Sequence, residues 1–328
     1  MKKLLIVLLA LCLCCASALA ADLTTNGGVE LDLSALPHQD AAAPAAVYFI
    51  SDISPESLVK AYQVLNVELP GKVGVKLSTG ESERANYLRP ALIGDLVKML
   101  NGIIVECNTA YGGSRSSTAM HLQLAKDHGF IDIAEVDILD AEDSMELLIE
   151  GGNRLSVDYV GSHFANYDSF LVLSHFKGHA MAGFGGAIKN ISIGFGSAKG
   201  KGWIHSGGTS FTNIWGGEQD AFLEAMADAA KGVDTCMGDN IVYISVLNRL
   251  SVDCDCDGNP SEPDMHDIGI MASTDPLAID QAAIDLVYAM PDSESLVERI
   301  ESRNGLHTLD AAESIGLGSR AYNLVIIE

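Results

Sequence analysis

Residues 174–190 read S-H-F-K-G-H-A-M-A-G-F-G-G-A-I-K-N, two histidines and two lysines around a run of glycines. A second block, S-A-K-G-K-G-W-I-H (197–205), follows at once. His175, His179 and His205 therefore fall in one short region with Lys177, Lys189, Lys199 and Lys201. Imidazole exchanges protons near neutral pH and ligates metals. Ammonium groups attract carboxylates and phosphates. The chain has only 20 Lys and Arg against 44 Asp and Glu, so this local excess of positive charge is expected to hold a small anionic ligand. His179 is expected as acid or base, His205 as ligand or second base, and Lys177 and Lys189 as anion contacts, with His175 and Asn190 beside them.

Gly183, Gly185 and Gly186 lie inside the first block. They make either a backbone cradle for an anion or a turn that lets helices pack closely. The dinucleotide fingerprint is excluded, because its third glycine position, 188, is Ile. No Walker A loop is present.

Two further stretches carry chemistry. N-T-A-Y-G-G-S-R-S-S-T (108–118) follows an apolar strand pattern and opens a helix. Tyr111 and Arg115 at such a helix start make a second anion site, or a capped helix with Arg115 in solvent. The loop C-D-C-D-G-N-P-S-E-P-D-M-H-D (254–267) offers Cys254, Cys256 and His266. Thiolate and imidazole favour zinc or another transition metal. The alternatives are a disulfide to Cys107 or Cys236 and an inert acidic loop.

The elements that position these groups alternate. Apolar runs at 47–50, 72–77, 103–107, 170–173, 241–247 and 268–272 read as strands. Helical spacing covers 55–65, with Ser54 as N-cap, then 90–100, 117–128, 219–233 and 276–290, the last capped by Asp275. A hairpin is expected across 145–150 and 155–160. The pattern predicts an α/β fold of mixed or mostly parallel sheets flanked by helices, with a cleft between two lobes. Loops after parallel strands gather at one sheet edge, which would bring Lys76, Tyr111 and Arg115 to the histidine block.

Residues 1–20 combine Lys2 and Lys3, an apolar run and the terminus A-L-A. They read as a signal peptide cleaved after Ala20, with no lipoprotein cysteine context. Residues 21–46 read as a linker or loose arm, and 47–328 as the folded domain. The expected location is periplasmic or extracellular, with no integral membrane span in the mature chain. Without Lys2 and Lys3, 18 basic residues face 44 acidic ones, a net charge of about −26. Such a surface argues against nucleic acid as a partner.

The blocks S-H-F-K-G-H-A-M-A-G-F-G-G-A-I-K-N, V-G-V-K-L-S-T-G-E, N-T-A-Y-G-G-S-R, C-D-C and D-I-G-I-M-A-S-T-D-P-L-A-I-D-Q-A together resemble domain-of-unknown-function family 362 across 47–328. Members often bear an iron–sulfur label, but this chain lacks the C-x-x-C-x-x-C-x-x-x-C-P segment of ferredoxin-like clusters, which argues against that cofactor here. The spacing of His179, Lys189 and His205 also resembles nickel-pincer lactate racemases. That resemblance implies proton exchange at His179, a cofactor tethered to Lys189 and nickel on His205. Tyr111 and Arg115 stand where the second catalytic histidine of those enzymes is expected. Two functions follow as expectations: a metal-dependent enzyme acting on a small anion, or an exported solute- or metal-binding protein without turnover.

Overall fold

The structure, a computed structural model, describes residues 22–328; the expected signal peptide lies outside the described residues. Strands β1 (Asp22–Thr24) and β2 (Glu30–Asp32) pair antiparallel. Strand and helix then alternate through β3 (Ala46–Ile50), α1 (Pro55–Gln63), β4 (Val73–Lys76), α2 (Pro90–Met99), β5 (Ile103–Glu106), α3 (Thr118–Asp127) and β6 (Val136–Ile138). Strands β7 (Ser144–Leu148) and β8 (Val157–Gly161) form the expected hairpin. They are followed by β9 (Ser169–His175) and a short hairpin of β10 (Lys177–His179) and β11 (Gly183–Gly185). Helices α4 (Ala187–Ser192), α5 (Ala198–His205) and α6 (Gln219–Met237) precede β12 (Ile241–Leu247) and β13 (Gly269–Ser273). The chain closes with α7 (Pro276–Ala289), α8 (Glu294–Ser302), α9 (His307–Ser314) and β14 (Asn323–Ile326).

Eight strands form one sheet in the order β14-β3-β13-β12-β9-β4-β5-β6. Only β13 runs against its neighbours; every other pairing in this sheet is parallel. Both faces are covered. Along β9, Phe170 and Val172 join the core on one face, and Leu171 and Leu173 the core on the other. Tyr243 and Val242 divide in the same way along β12. Near-continuous apolar runs are what a doubly covered parallel sheet requires. The caps read from the sequence form: Ser57 N–H donates to Ser54 Oγ at 3.2 Å, and Leu277 and Ala278 N–H donate to Asp275.

The stretch expected as a linker or loose arm is built into the fold instead. Leu23, Leu31, Leu33 and Leu36 are buried in the main core. Asn26 N–H donates to Ile268 O at 2.8 Å, and the His38 ring meets Asp285 at 3.0 Å. Isolated leucines among polar residues leave no periodic pattern, yet each fills a gap in a core built by other segments. No helix among the described residues is long and apolar enough to cross a membrane.

Candidate functional site

The parallel strands β4, β5, β9 and β12 all end at one sheet edge, and the loops that follow them meet there. They enclose a cavity of about 500 Å³. Its lining includes His179 from β10, Lys189 from α4, His205 from α5, and Cys254 and Cys256 from the loop after β12. Lys76, Tyr111, Arg115, His175, Lys177, Gly185, Gly186 and Asn190 also reach it. Of the residues singled out from sequence, Gly183 and His266 do not. Gly183 has φ +80°, and a Cβ there would press on the backbone of Ile300 and Gly305, so its role is packing against the α8–α9 junction. His266 is exposed and pairs with Asp292 at 2.6 Å; that partner lies 26 residues further along the chain, beyond the reach of any local pattern.

Several expected anion contacts are already neutralised internally. The Lys76 ammonium is fully buried and lies 3.2 Å from Glu106 Oε2, 3.1 Å from Asn190 Oδ1 and 2.8 Å from Leu77 O. Arg115 donates to Glu81 Oε2 at 3.0 Å and to Glu106 Oε1 at 3.2 Å. The Ser114 N–H also donates to Glu81, so the anion site expected at 108–118 is filled by the chain's own carboxylate. Lys177 donates to His175 O at 2.7 Å and pairs with Asp255 at 3.1 Å. His175 uses both ring nitrogens, on Asp255 at 2.8 Å and Asn248 O at 2.7 Å. Lys201 is buried and donates to Gly196 O at 2.5 Å. Lys189 is different: its ammonium faces the cavity and forms no ion pair or hydrogen bond among the described residues. Glu81, Glu106 and Asp255 were not singled out from sequence. Each sits beside a motif, but its partner comes from another segment.

Burial would raise the Glu106 carboxyl, but Lys76, Arg115 and His121 hold it down at about 2. Asp255 is likewise held well below the carboxylate range by His175 and Lys177 against burial. These two ionised groups are struts. They lock the strand-end loops in place around the cavity.

The two pocket histidines are held in opposite tautomers by backbone hydrogen bonds. His179 Nδ1 accepts from the N–H groups of Met181 at 3.1 Å and Ala182 at 2.9 Å. The proton of its neutral ring is therefore on Nε2. His205 Nδ1 lies 2.7 Å from Lys201 O. A carbonyl only accepts, so Nδ1 carries the proton and Nε2 keeps its lone pair. Burial, with Lys189 and His205, drives the His179 pKa well below its ordinary value. Burial lowers His205 to about 4, with Lys189 and Lys201 adding to it. Both rings are neutral at neutral pH. His205 also stacks on Phe222, with centroids 4.8 Å apart.

Helix α4, which carries Lys189, is held by a carboxylate from another helix, a residue not singled out from sequence. Buried Asp280 of α7 accepts from Ala187 N–H at 2.7 Å and Ile188 N–H at 2.9 Å. A Cβ on Gly186 would sit 2.2 Å from Asp280 Oδ1. Gly186→Ala is expected to destabilise the fold by about 1–3 kcal/mol, the usual scale of overpacking, and to weaken anion binding with it. Chemical denaturation checks the first effect; an unchanged midpoint would refute the close-approach argument.

Asp158 of β8 is a second buried carboxyl. Its Oδ2 has no partner, and burial lifts its pKa to about 7 against the Tyr159 N–H and Lys201. Between its unfolded value near 4 and 7, the folded chain holds a proton that the unfolded chain releases. Stability therefore falls as pH rises through this window. Asp158→Asn is expected to raise the melting temperature at pH 8, with the gain shrinking toward pH 5. A pH-independent difference between the two proteins would contradict it.

Cys254 and Cys256 flank the first turn of their loop, where Asp257 N–H donates to Cys254 O at 2.9 Å. The Cys256 N–H approaches Cys254 Sγ at 3.4 Å. A hydrogen bond from Cys256 lowers the Cys254 thiol below its ordinary value, with Lys189 and Lys177 also favouring the thiolate. All four cysteines among the described residues are free thiols. Cys107 is buried and donates to Phe195 O at 3.2 Å, and Cys236 is exposed on α6. Neither disulfide considered for the C-D-C pair is formed.

Residues 73–285 match the family described as domain of unknown function (DUF362). The chain belongs to that family. The DUF362 region runs from β4 into α7 and contains all the cavity residues named above. Among solved structures, the chain is similar to the lactate racemase apoprotein from Thermoanaerobacterium thermosaccharolyticum, at 17% identity and TM-score 0.40, over 69% of this chain and 55% of that one. It is also similar to a protein from Thermotoga maritima, at 9% identity and TM-score 0.42, over 79% of this chain and 58% of that one. The chain thus spans less than two thirds of the length of either structure. No curated protein matches it.

Proposed function

We propose that this DUF362 protein acts after export as an enzyme on a small anionic compound, a carboxylate or phosphate, held on Lys189, with His205 as the base. The observation that carries the reading is the contrast at the cavity wall. Lys76, Arg115, Lys177 and Lys201 are engaged by the chain itself, whereas the Lys189 ammonium has no partner among the described residues and lines the same cavity as His205, whose Nε2 is unprotonated. An anion on Lys189 gains a charge-assisted bond in a cavity from which much water is excluded. His205 Nε2 accepts a proton from the bound compound, and Lys201 O stabilises the imidazolium through Nδ1–H. Lys189 offsets the negative charge left on the compound.

Incubation of the purified chain with small carboxylates and phosphate esters in heavy water tests this. Loss of a carbon-bound proton signal by NMR, abolished by His205→Gln, supports it. Tight binding with no exchange or turnover on any of them would replace it with the non-catalytic solute-binding reading.

A further inference from the structure

The metal site expected from Cys254, Cys256 and His266 cannot assemble as written, because His266 is engaged with Asp292 outside the cavity. A different third donor is at hand. A ring nitrogen of His179 and the sulfurs of Cys254 and Cys256 all lie within 4.8 Å of one another. All three residues line the cavity. We propose that His179, Cys254 and Cys256 form a three-donor site for a thiophilic cation such as Zn²⁺, with its remaining coordination position open to the pocket. The inference rests on the proposed function only for what that open position faces.

Three observations carry it beyond proximity. First, the donor set is two sulfurs and one imidazole nitrogen, which suits zinc and its softer neighbours and not calcium or magnesium. Second, the loop is built to hold the two sulfurs on one side of a turn. Asp255, between them, is gripped by His175 at 2.8 Å and Lys177 at 3.1 Å, and its carbonyl accepts from Glu81 N–H at 2.8 Å. Side chain and backbone of the middle residue are thus fixed from two other segments, which pre-organises the pair. Third, the Lys189 ammonium, which has no ion pair among the described residues, lines the same cavity and offsets part of the negative charge of two thiolates.

Nε2 is the nitrogen of His179 left available, because Nδ1 receives two backbone N–H groups. Ligation there releases the Nε2 proton to solvent as the ion takes its place, so uptake of the ion weakens as pH falls, and the two N–H donors stabilise the charge left on the ring. Zinc sits about 2.3 Å from sulfur and about 2.0–2.1 Å from nitrogen, so side-chain rotation must draw the donors together around it. Three protein ligands and one open position are the arrangement of catalytic rather than structural zinc. An oxygen of an anion on Lys189 would have that position to occupy.

The test is equilibrium dialysis of the reduced, chelator-stripped chain, residues 21–328, against Zn²⁺ or Co²⁺, with elemental analysis. One ion per chain is expected. The Co²⁺ form is expected to show thiolate-to-cobalt charge-transfer absorption, which reports sulfur ligation in the unmodified protein even if a variant fails to fold. Cys254→Ser, Cys256→Ser and His179→Gln should each weaken binding more than about 100-fold, above the loss typical of outer-shell changes. His266→Gln should leave it unchanged. Binding that survives His179→Gln but is lost in His266→Gln overturns the site, as does a reduced, folded chain that takes up no ion. No organic anion is present in the dialysis, so its failure leaves the Lys189 reading standing, and failure of anion binding leaves the metal site standing.

Discussion

Glu106→Ala is expected to destabilise the protein by about 3–5 kcal/mol, the range for breaking a buried ion pair by removing one partner. The Glu106 carboxylate receives Lys76, Arg115 and the Thr79 N–H in a region closed to water. Its removal leaves two cations buried with one counter-charge, Glu81, which reaches only Arg115. Lys76 already has its pKa lowered by burial despite Glu106; without Glu106 the ammonium must lose its proton or draw in water. The loss should spread to the site, because Lys76 bonds Asn190 of α4 and Arg115 holds the loop bearing Tyr111. Chemical denaturation followed by far-UV circular dichroism reads the change. A loss below about 1 kcal/mol would mean that this network is not the strut described above.

Lys189→Ala is expected to leave the fold intact and to weaken binding of a small carboxylate or inorganic phosphate by about 10- to 100-fold. This corresponds to one hydrogen bond to a charged group, about 1.5–3 kcal/mol. The fold should survive because the Lys189 ammonium satisfies no other group among the described residues, and α4 is held from behind by Asp280. The remaining cations of the cavity cannot take over without breaking their own pairs with Glu106, Glu81 and Asp255. Isothermal titration calorimetry measures the affinity, and thermal unfolding serves as the fold control. Affinity equal to that of the unmodified chain would remove Lys189 as the anchor.

Much of the architecture is legible without coordinates. Apolar runs such as I-V-Y-I-S-V-L became β12, the Pro-led helical spacings became α1, α2 and α7, and Ser54 and Asp275 cap as read. These signals are local. Apolar periodicity and cap chemistry are set by residues within a few positions of each other. The short elements β6, β10, β11 and α4 were missed, since three to six residues hold too few positions for a period to show.

Residue type and clustering alone marked out His179, Lys189, His205, Cys254 and Cys256, because charge scarcity and rare side chains are properties of the chain itself. Their protonation states and partners were decided by the tertiary structure. Lys76 pairs with a residue 30 positions away, Arg115 with one 34 positions away and His175 with one 80 positions away. A contact near 3 Å depends on which strand ends meet at the sheet edge, and no local pattern carries that information. The same long-range placement brings His179, in a hairpin after β9, to the thiols of a loop after β12, and sends His266, only ten residues beyond Cys256, to Asp292 instead.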